Sequence, residues 1–210
     1  MNTLLRAKKA SAEWHIKHKF TQSLHPPSHH QPTSRSKKPH WVAWRKPKGG
    51  FIKINFDGSK SSSNATGGFI LRNWDGEFIQ VATFNLGAVS VLVAEATTMR
   101  NGLRVAIHAG YTNIHLEGDN QVLIQAAQGR FQVPWEIQTL VEDHILAYFQ
   151  LCNHVSINHI FREDNRAADW LEKFGLNLCS TVVWHQVSHS DLYCILREDY
   201  LGRALERKAT

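Results

Sequence analysis

The stretch Ile52–Ser59, "IKINFDGS", decides the fold. Ile52, Ile54 and Phe56 alternate with Lys53, Asn55 and Asp57, the period of two that a half-buried strand requires. The strand closes on Asp57, followed at once by Gly58 and Ser59. A carboxylate at a strand end, beside a glycine that lets a ligand approach the backbone, suits a metal ion or a phosphate. Taken alone, the same pattern also describes a strand running into an ordinary Asp-Gly turn. Three carboxylates downstream, Glu95, Asp119 and Asp169, stand at comparable places and tip the reading toward chemistry.

Moving outward, Gly67–Asn73 and Phe78–Leu86 flank "WDGE", and Asp75-Gly76 between two strand-like runs predicts a hairpin. The first three strands therefore read as an antiparallel meander, with Gly67-Gly68 as strand punctuation. Ser90 can cap a helix over Val91–Ala109, with Gly110 just beyond its end. Met99, Leu103, Ala106 and Ile107 give that helix an apolar face. Ile114 and Leu116 make a fourth strand ending at Glu117, Gly118 and Asp119. A short helix over Gln121–Gln128 stops at Gly129, and Pro134 opens another with Ile137, Val141, Ile145, Tyr148 and Phe149 on one side. Val155, Ile157, His159 and Phe161 form a fifth strand, and Asn165–Phe174 a last helix stopped by Gly175. The order β-β-β-α-β-α-β-α predicts an α/β fold, a five-stranded mixed sheet with helices on its faces. The tail from residue 176 is expected to add a helix with a basic end, "SDLYCILREDYLGRALER".

With 210 residues, 42% hydrophobic and 20% charged, the chain suits one globular domain and an appendage. Its formal charge of +6 is unevenly spread. Residues 1–50 hold 11 Lys+Arg and one acid, Glu13, whereas the other 160 hold 13 basic and 17 acidic side chains. The positive charge belongs to an N-terminal arm, residues 1–43, rich in His, Ser, Lys and Pro and expected to be mostly disordered, with room for a short helix over Leu4–Phe20. Such an arm suits a polyanion, and equally a solvated tail. Its six histidines lack fixed ligand spacing. Trp41 and Trp44 mark the entry to order, beginning a folded body over residues 44–210. Cys152, Cys179 and Cys194, odd in number and widely spaced, fit neither a disulfide framework nor a zinc site. They fit an intracellular, reducing compartment, nucleus or cytoplasm, while the basic N-terminus is also compatible with an organelle transit peptide. No apolar run reaches membrane-spanning length, and the N-terminus lacks the apolar core of a secretory signal.

If the fourth strand pairs beside the first, Asp57 and Asp119 become neighbours at one sheet edge, where α/β folds build their sites. Carboxylates at contact distance cannot all stay ionised without cations. Mg²⁺, or Mn²⁺ in its place, resolves the conflict with oxygen ligands and substrate phosphate. Two such ions serve in-line phosphoryl displacement. No Ser-His-Asp or Cys-His set competes, and there is no P-loop.

Four blocks, "INFDGS", "VAEATTMRNGLRVA", "HLEGDNQVLI" and "REDNRAADWLEKFG", resemble in order the signature blocks of type 1 ribonuclease H domains. The likeness is greatest to plant ribonuclease-H-like domains related to retroelement reverse-transcriptase polyproteins, and covers about Trp44 to Gly175. It implies a ribonuclease-H-like fold and Mg²⁺-dependent hydrolysis of the RNA strand of RNA–DNA hybrids. Carried over block by block, it implies Asp57, Glu95, Asp119 and Asp169 as catalytic, metal-binding carboxylates. Asp169 is selected over Glu163 and Asp164 by the "N-x-x-A-D" pattern. Many type 1 enzymes carry a histidine on a flexible loop before the last carboxylate; here "FREDN" is short, and His159 reads as a strand residue. No basic insertion separates the helices, since Gln128–Trp135 holds only Arg130. Ser59, Asn64 and Asn120 are candidates to contact phosphate or ribose, or are turn and cap residues. The alternatives to an enzyme are a nucleic-acid-binding module that kept the fold and an interaction domain of retroelement origin.

Overall fold

The computed structural model describes residues 40–207. The arm, including the helix expected over Leu4–Phe20, lies almost wholly outside the described residues. Strand β1 (Trp41–Val42) pairs antiparallel with β8 (Leu205–Glu206), so the described chain begins and ends in one small ladder. Strands β2 (Ile52–Ser61), β3 (Asn64–Arg72) and β4 (Phe78–Gly87) form the expected meander. The hairpin at Asp75-Gly76 is present: Gly76 takes φ +85 and its N–H donates to the Asn73 carbonyl at 3.0 Å. Helix α1 (Val91–His108) follows, with the Ser90 hydroxyl accepting from the Val93 N–H at 3.2 Å. Strand β5 (Asn113–Gly118) and the short helix α2 (Gln121–Ala127) follow in turn.

The helix expected from Pro134 is not continuous. A 3-10 turn (Trp135–Ile137) leads to a π-helical segment (Leu140–Ile145) and then α3 (Leu146–Leu151). Ile137, Val141, Ile145 and Phe149 are all buried along it. The apolar spacing was a true signal of burial, but the wider winding of its middle left no mark in the sequence. Strand β6 (His154–His159), a 3-10 turn (Arg162–Asp164) and α4 (Arg166–Gly175) complete the expected order.

The sheet has six strands, not the five expected, in the order β6-β5-β2-β3-β4-β7. The sixth, β7 (Val182–Trp184), comes from the tail and pairs antiparallel with β4. At three residues it shows no usable alternation, so only its partner reveals it. Helix α5 (Ser190–Tyr200) confirms the helix expected in the tail. The condition that the fourth strand pairs beside the first is met: β2 and β5 run parallel, with Ile54 opposite Leu116 and Asn55 opposite Glu117.

Alternation on the central strands sends side chains to two cores. Ile52, Ile54, Phe56, Phe69 and Leu71 join Met99 and Leu103 of α1. On the other face Ile70 and Val81 meet Ala167 and Leu171 of α4 and Leu192 of α5. Gly67-Gly68, read as punctuation, are the docking points of both layers. A Cβ on Gly67 would fall 1.8 Å from Thr98 Oγ1 of α1, and one on Gly68 2.8 Å from the Glu172 nitrogen of α4. On the α4 face, Arg72 is fully buried. It donates to Asp199 of α5 at 2.6 Å and to Asn55 at 2.7 Å, under the ring of Trp44. This network fastens the tail to the central strands.

Candidate active site

Asp57 does not close its strand as expected: β2 runs on to Ser61 because β3 pairs with it that far, and Asp57 stands near the middle, just past the end of the parallel ladder with β5, 5% exposed. The Gly58 N–H donates to its Oδ1 at 2.8 Å. Gly58 also admits α1, since a Cβ there would lie 2.7 Å from the Glu95 nitrogen. That close approach brings Glu95, one turn into α1 and 3% exposed, beside Asp57. Asp119 follows β5 directly and lies next to both by the parallel pairing. One carboxylate oxygen from each of Asp57, Glu95 and Asp119 falls within 4.8 Å of the others.

Asp169 arrives with α4, whose start is fixed to β2 by the Asn165 amide donating to the Phe56 carbonyl at 2.9 Å. It joins Asp57 in a second group, again within 4.8 Å, whose third member is Glu172. The structure thus brings together all four carboxylates expected from the sequence and adds a fifth. Glu172 is 1% exposed, and its Oε2 accepts from the Ser59 hydroxyl. Its signal was present, because i and i+3 share a helix side. In "DWLEKF", however, it reads as one more charge on an amphipathic helix.

Among the described residues, the ion pairs at this site fall on Asp169, from Arg162 at 2.6 Å and from Lys173. The other carboxyls carry the strain of burial. Burial first, then the neighbouring Asp119, holds the Asp57 carboxyl up at about 8. Burial, then Asp57, holds Glu95 well above the usual carboxylate range. Asp119 and Glu172 are raised as well, chiefly by burial. Glu95 Oε2 is buried with no hydrogen-bond partner. An orphaned acceptor inside a packed set of carboxyls is what a hard, oxygen-loving divalent cation satisfies. The residues present fit such an ion.

The remaining candidates are not members of the carboxylate groups. Ser59 is half-buried and committed to Glu172. Asn64 is exposed at the start of β3. Asn120 caps α2, its side-chain oxygen accepting from the Leu123 N–H at 3.1 Å. His159 ends β6, exposed, with Nε2 at 3.0 Å from the Asp119 backbone oxygen and its ring edge-on to Phe161. It is a strand residue, as its alternation implied. No helix among the described residues is long and apolar enough to cross a membrane.

The sheet order, the helix placement and the carboxylate cluster define a ribonuclease-H-like domain. A model of the reverse transcriptase-like family matches residues 55–175, more than half of the chain, and the chain belongs to that family. Among solved structures, RNase H1 from the halophilic archaeon Halobacterium salinarum NRC-1 superposes with a TM-score of 0.57 at 22% identity, covering 60% of this chain and 98% of that one. LC11-RNase H1 from compost, solved in complex with an RNA/DNA hybrid, gives 0.56 at 19% identity, covering 60% and 96%. At such identities the likeness establishes the fold. A curated Arabidopsis thaliana protein named "Putative ribonuclease H protein" is 27% identical over 178 residues, 80% of this chain. The chain spans 27% of that relative's length.

Proposed function

We propose that this domain is an endoribonuclease that hydrolyses the RNA strand of RNA–DNA hybrids, using Mg²⁺ or Mn²⁺ held by Asp57, Glu95, Asp119 and Asp169. The observation that carries the reading is the pair of carboxylate groups sharing Asp57, with the partnerless Glu95 oxygen buried in one of them. When bound, the ions supply an activated water and stabilise the leaving oxygen of an in-line displacement. Hydrolysis there would join the water oxygen to phosphorus as the P–O3′ bond breaks, the water giving up a proton to solvent and O3′ taking one up, to leave a 5′-phosphate and a 3′-hydroxyl. Asp57, at the junction of both groups, orients both halves of the site. Glu95 and Asp119 hold one side, and Asp169 the other. Burial shields Asp57 and Glu95 from bulk water, which strengthens each electrostatic contact there.

Ser59, Asn64 and Asn120 are the polar side chains assigned to contact phosphate or ribose. Contacts across the wide minor groove, where 2′-hydroxyls mark the RNA strand, fit this polar set. The competing reading is a catalytically weak or inactive nucleic-acid-binding module of retroelement origin. It is favoured by the two cations on Asp169, which compete with a metal for that carboxylate.

The test is purified protein incubated with labelled hybrid, duplex DNA and duplex RNA, in Mg²⁺, in Mn²⁺ and in excess chelator. Hybrid-selective, chelator-sensitive cleavage is expected. Cleavage that persists in chelator would defeat the metal reading, and hybrid binding without cleavage would establish the binding module.

A further inference from the structure

We infer that Glu172 is a fifth metal-binding carboxylate and that, with Asp57 and Asp169, it holds a second divalent cation before any nucleic acid arrives. The inference rests on the divalent-metal reading above and concerns which residues of this chain complete the second site.

Glu172 is not placed by chance. With no Cβ on Gly68, the α4 backbone at Leu171 and Glu172 lies directly on β3. Thr66 Oγ1 donates to the Glu172 carbonyl at 2.9 Å, and Thr83 Oγ1 to the Leu171 carbonyl at 2.9 Å. These contacts fix the helix turn that carries the carboxylate. Gly68 is also the cross-strand partner of Asp57, so the Glu172 side chain enters beside Asp57.

A carboxylate that is only 1% exposed is costly unless its charge is met. Glu172 has one hydroxyl partner, Ser59, and makes no ion pair among the described residues. Lys173 and Arg162, the nearby cations, both engage Asp169. Through the shared Asp57, this group adjoins the one that buries the partnerless Glu95 oxygen, so the whole cluster holds more anionic oxygen than its protein partners satisfy. Mg²⁺ sites built on one or two carboxylates are usually completed by substrate phosphate. Three carboxylates, from Asp57, Asp169 and Glu172, carry enough negative charge to fill the site without it.

The test is a Mn²⁺ titration of the full chain, free of nucleic acid, followed by electron paramagnetic resonance. The wild type is expected to show a spin-coupled Mn²⁺ pair. Glu172→Gln, checked for folding by its melting curve in chelator, is expected to show only an isolated ion at Asp57, Glu95 and Asp119. A wild type with one uncoupled ion, or a Glu172→Gln protein that keeps the coupled pair, overturns the inference. If Glu172→Gln fails to fold, Glu172→Asp decides: the shortened side chain is expected to weaken the second Mn²⁺ selectively, and a coupled pair of unchanged affinity overturns the inference. No Mn²⁺ bound in a form that Asp57→Asn abolishes would instead defeat the metal reading on which the inference rests.

Discussion

Asp57 and Gly68 stand directly opposite each other across the β2–β3 ladder, and the missing Cβ of Gly68 is what lets α4 deliver two carboxylates to Asp57. A methyl at Gly68 would meet Leu171 Cβ at 2.4 Å and the Glu172 nitrogen at 2.8 Å. Neither atom is the loose end of a side chain, so the helix must shift. Gly68→Ala should lose about 1–3 kcal/mol of stability, the usual toll of overpacking. It should also weaken divalent binding at the Asp169 side more than at the Glu95 side. Melting curves and a metal titration of the variant check both.

Asp57→Asn separates chemistry from folding. The amide is nearly isosteric but lacks the charge that both carboxylate groups share. Hybrid cleavage should fall by orders of magnitude, because metal stabilisation of the transition state is worth several kcal/mol. In chelator the variant should melt at or above the parent's temperature, since one member of a repelling cluster is gone. Mg²⁺ should raise the parent's melting temperature more than the variant's, by linkage to native-state binding. A destabilised variant with an intact Mg²⁺ shift would show Asp57 to be a structural residue of β2 and not a metal ligand.

The pH dependence of the metal-free protein follows from the same site. Asp57 holds its proton up to about 8 in the fold, against an ordinary 3.8. Between those values the folded state binds a proton that the unfolded chain has released, so stability falls as pH rises. Below 3.8 both states are protonated, and above about 8 both are ionised, so the slope flattens at each end. In chelator, the melting temperature should therefore drop across this window. Asp57→Asn should flatten the drop, and so should saturating Mg²⁺, since binding displaces the proton that the folded state would otherwise hold.

The Arg72–Asp199 pair, at 2.6 Å and buried, predicts that the tail is integral to the domain. Asp199→Ala would leave a guanidinium buried with Asn55 as its remaining hydrogen-bond partner. Breaking a buried pair by removing one partner costs about 3–5 kcal/mol. The variant should melt well below the parent, and limited proteolysis should begin in the segment that carries β7, α5 and β8.

The basic arm makes a prediction from its charge alone. Deleting residues 1–40 should lower nucleic-acid affinity more than it changes selectivity among duplex types, because binding to phosphate is largely sequence-independent. The salt slope of duplex binding should flatten by roughly 0.9 for each phosphate that the arm neutralises. An unchanged slope would assign the arm no part in binding.

The sequence by itself determined the central strands, the helix order and the four-carboxylate set. Alternation in "IKINF", a cap at Ser90 and a hairpin glycine at Gly76 are local signals, readable because each depends on a few neighbouring residues. The placement of β5 beside β2 was only a condition in the sequence, and the parallel ladder itself decided it. What only the tertiary structure decided is nonlocal. Strands β7 and β8, at three and two residues, are too short to show a period and exist because β4 and β1 present partners. Gly67 and Gly68 became docking points for two helices because successive strand residues face opposite sides of the sheet. Glu172 looked like a solvent charge because helical spacing shows which residues share a side, but not what that side will meet. Its burial against Asp57 was settled by α4 lying on Gly68, a meeting of segments far apart in the chain that no local pattern announces.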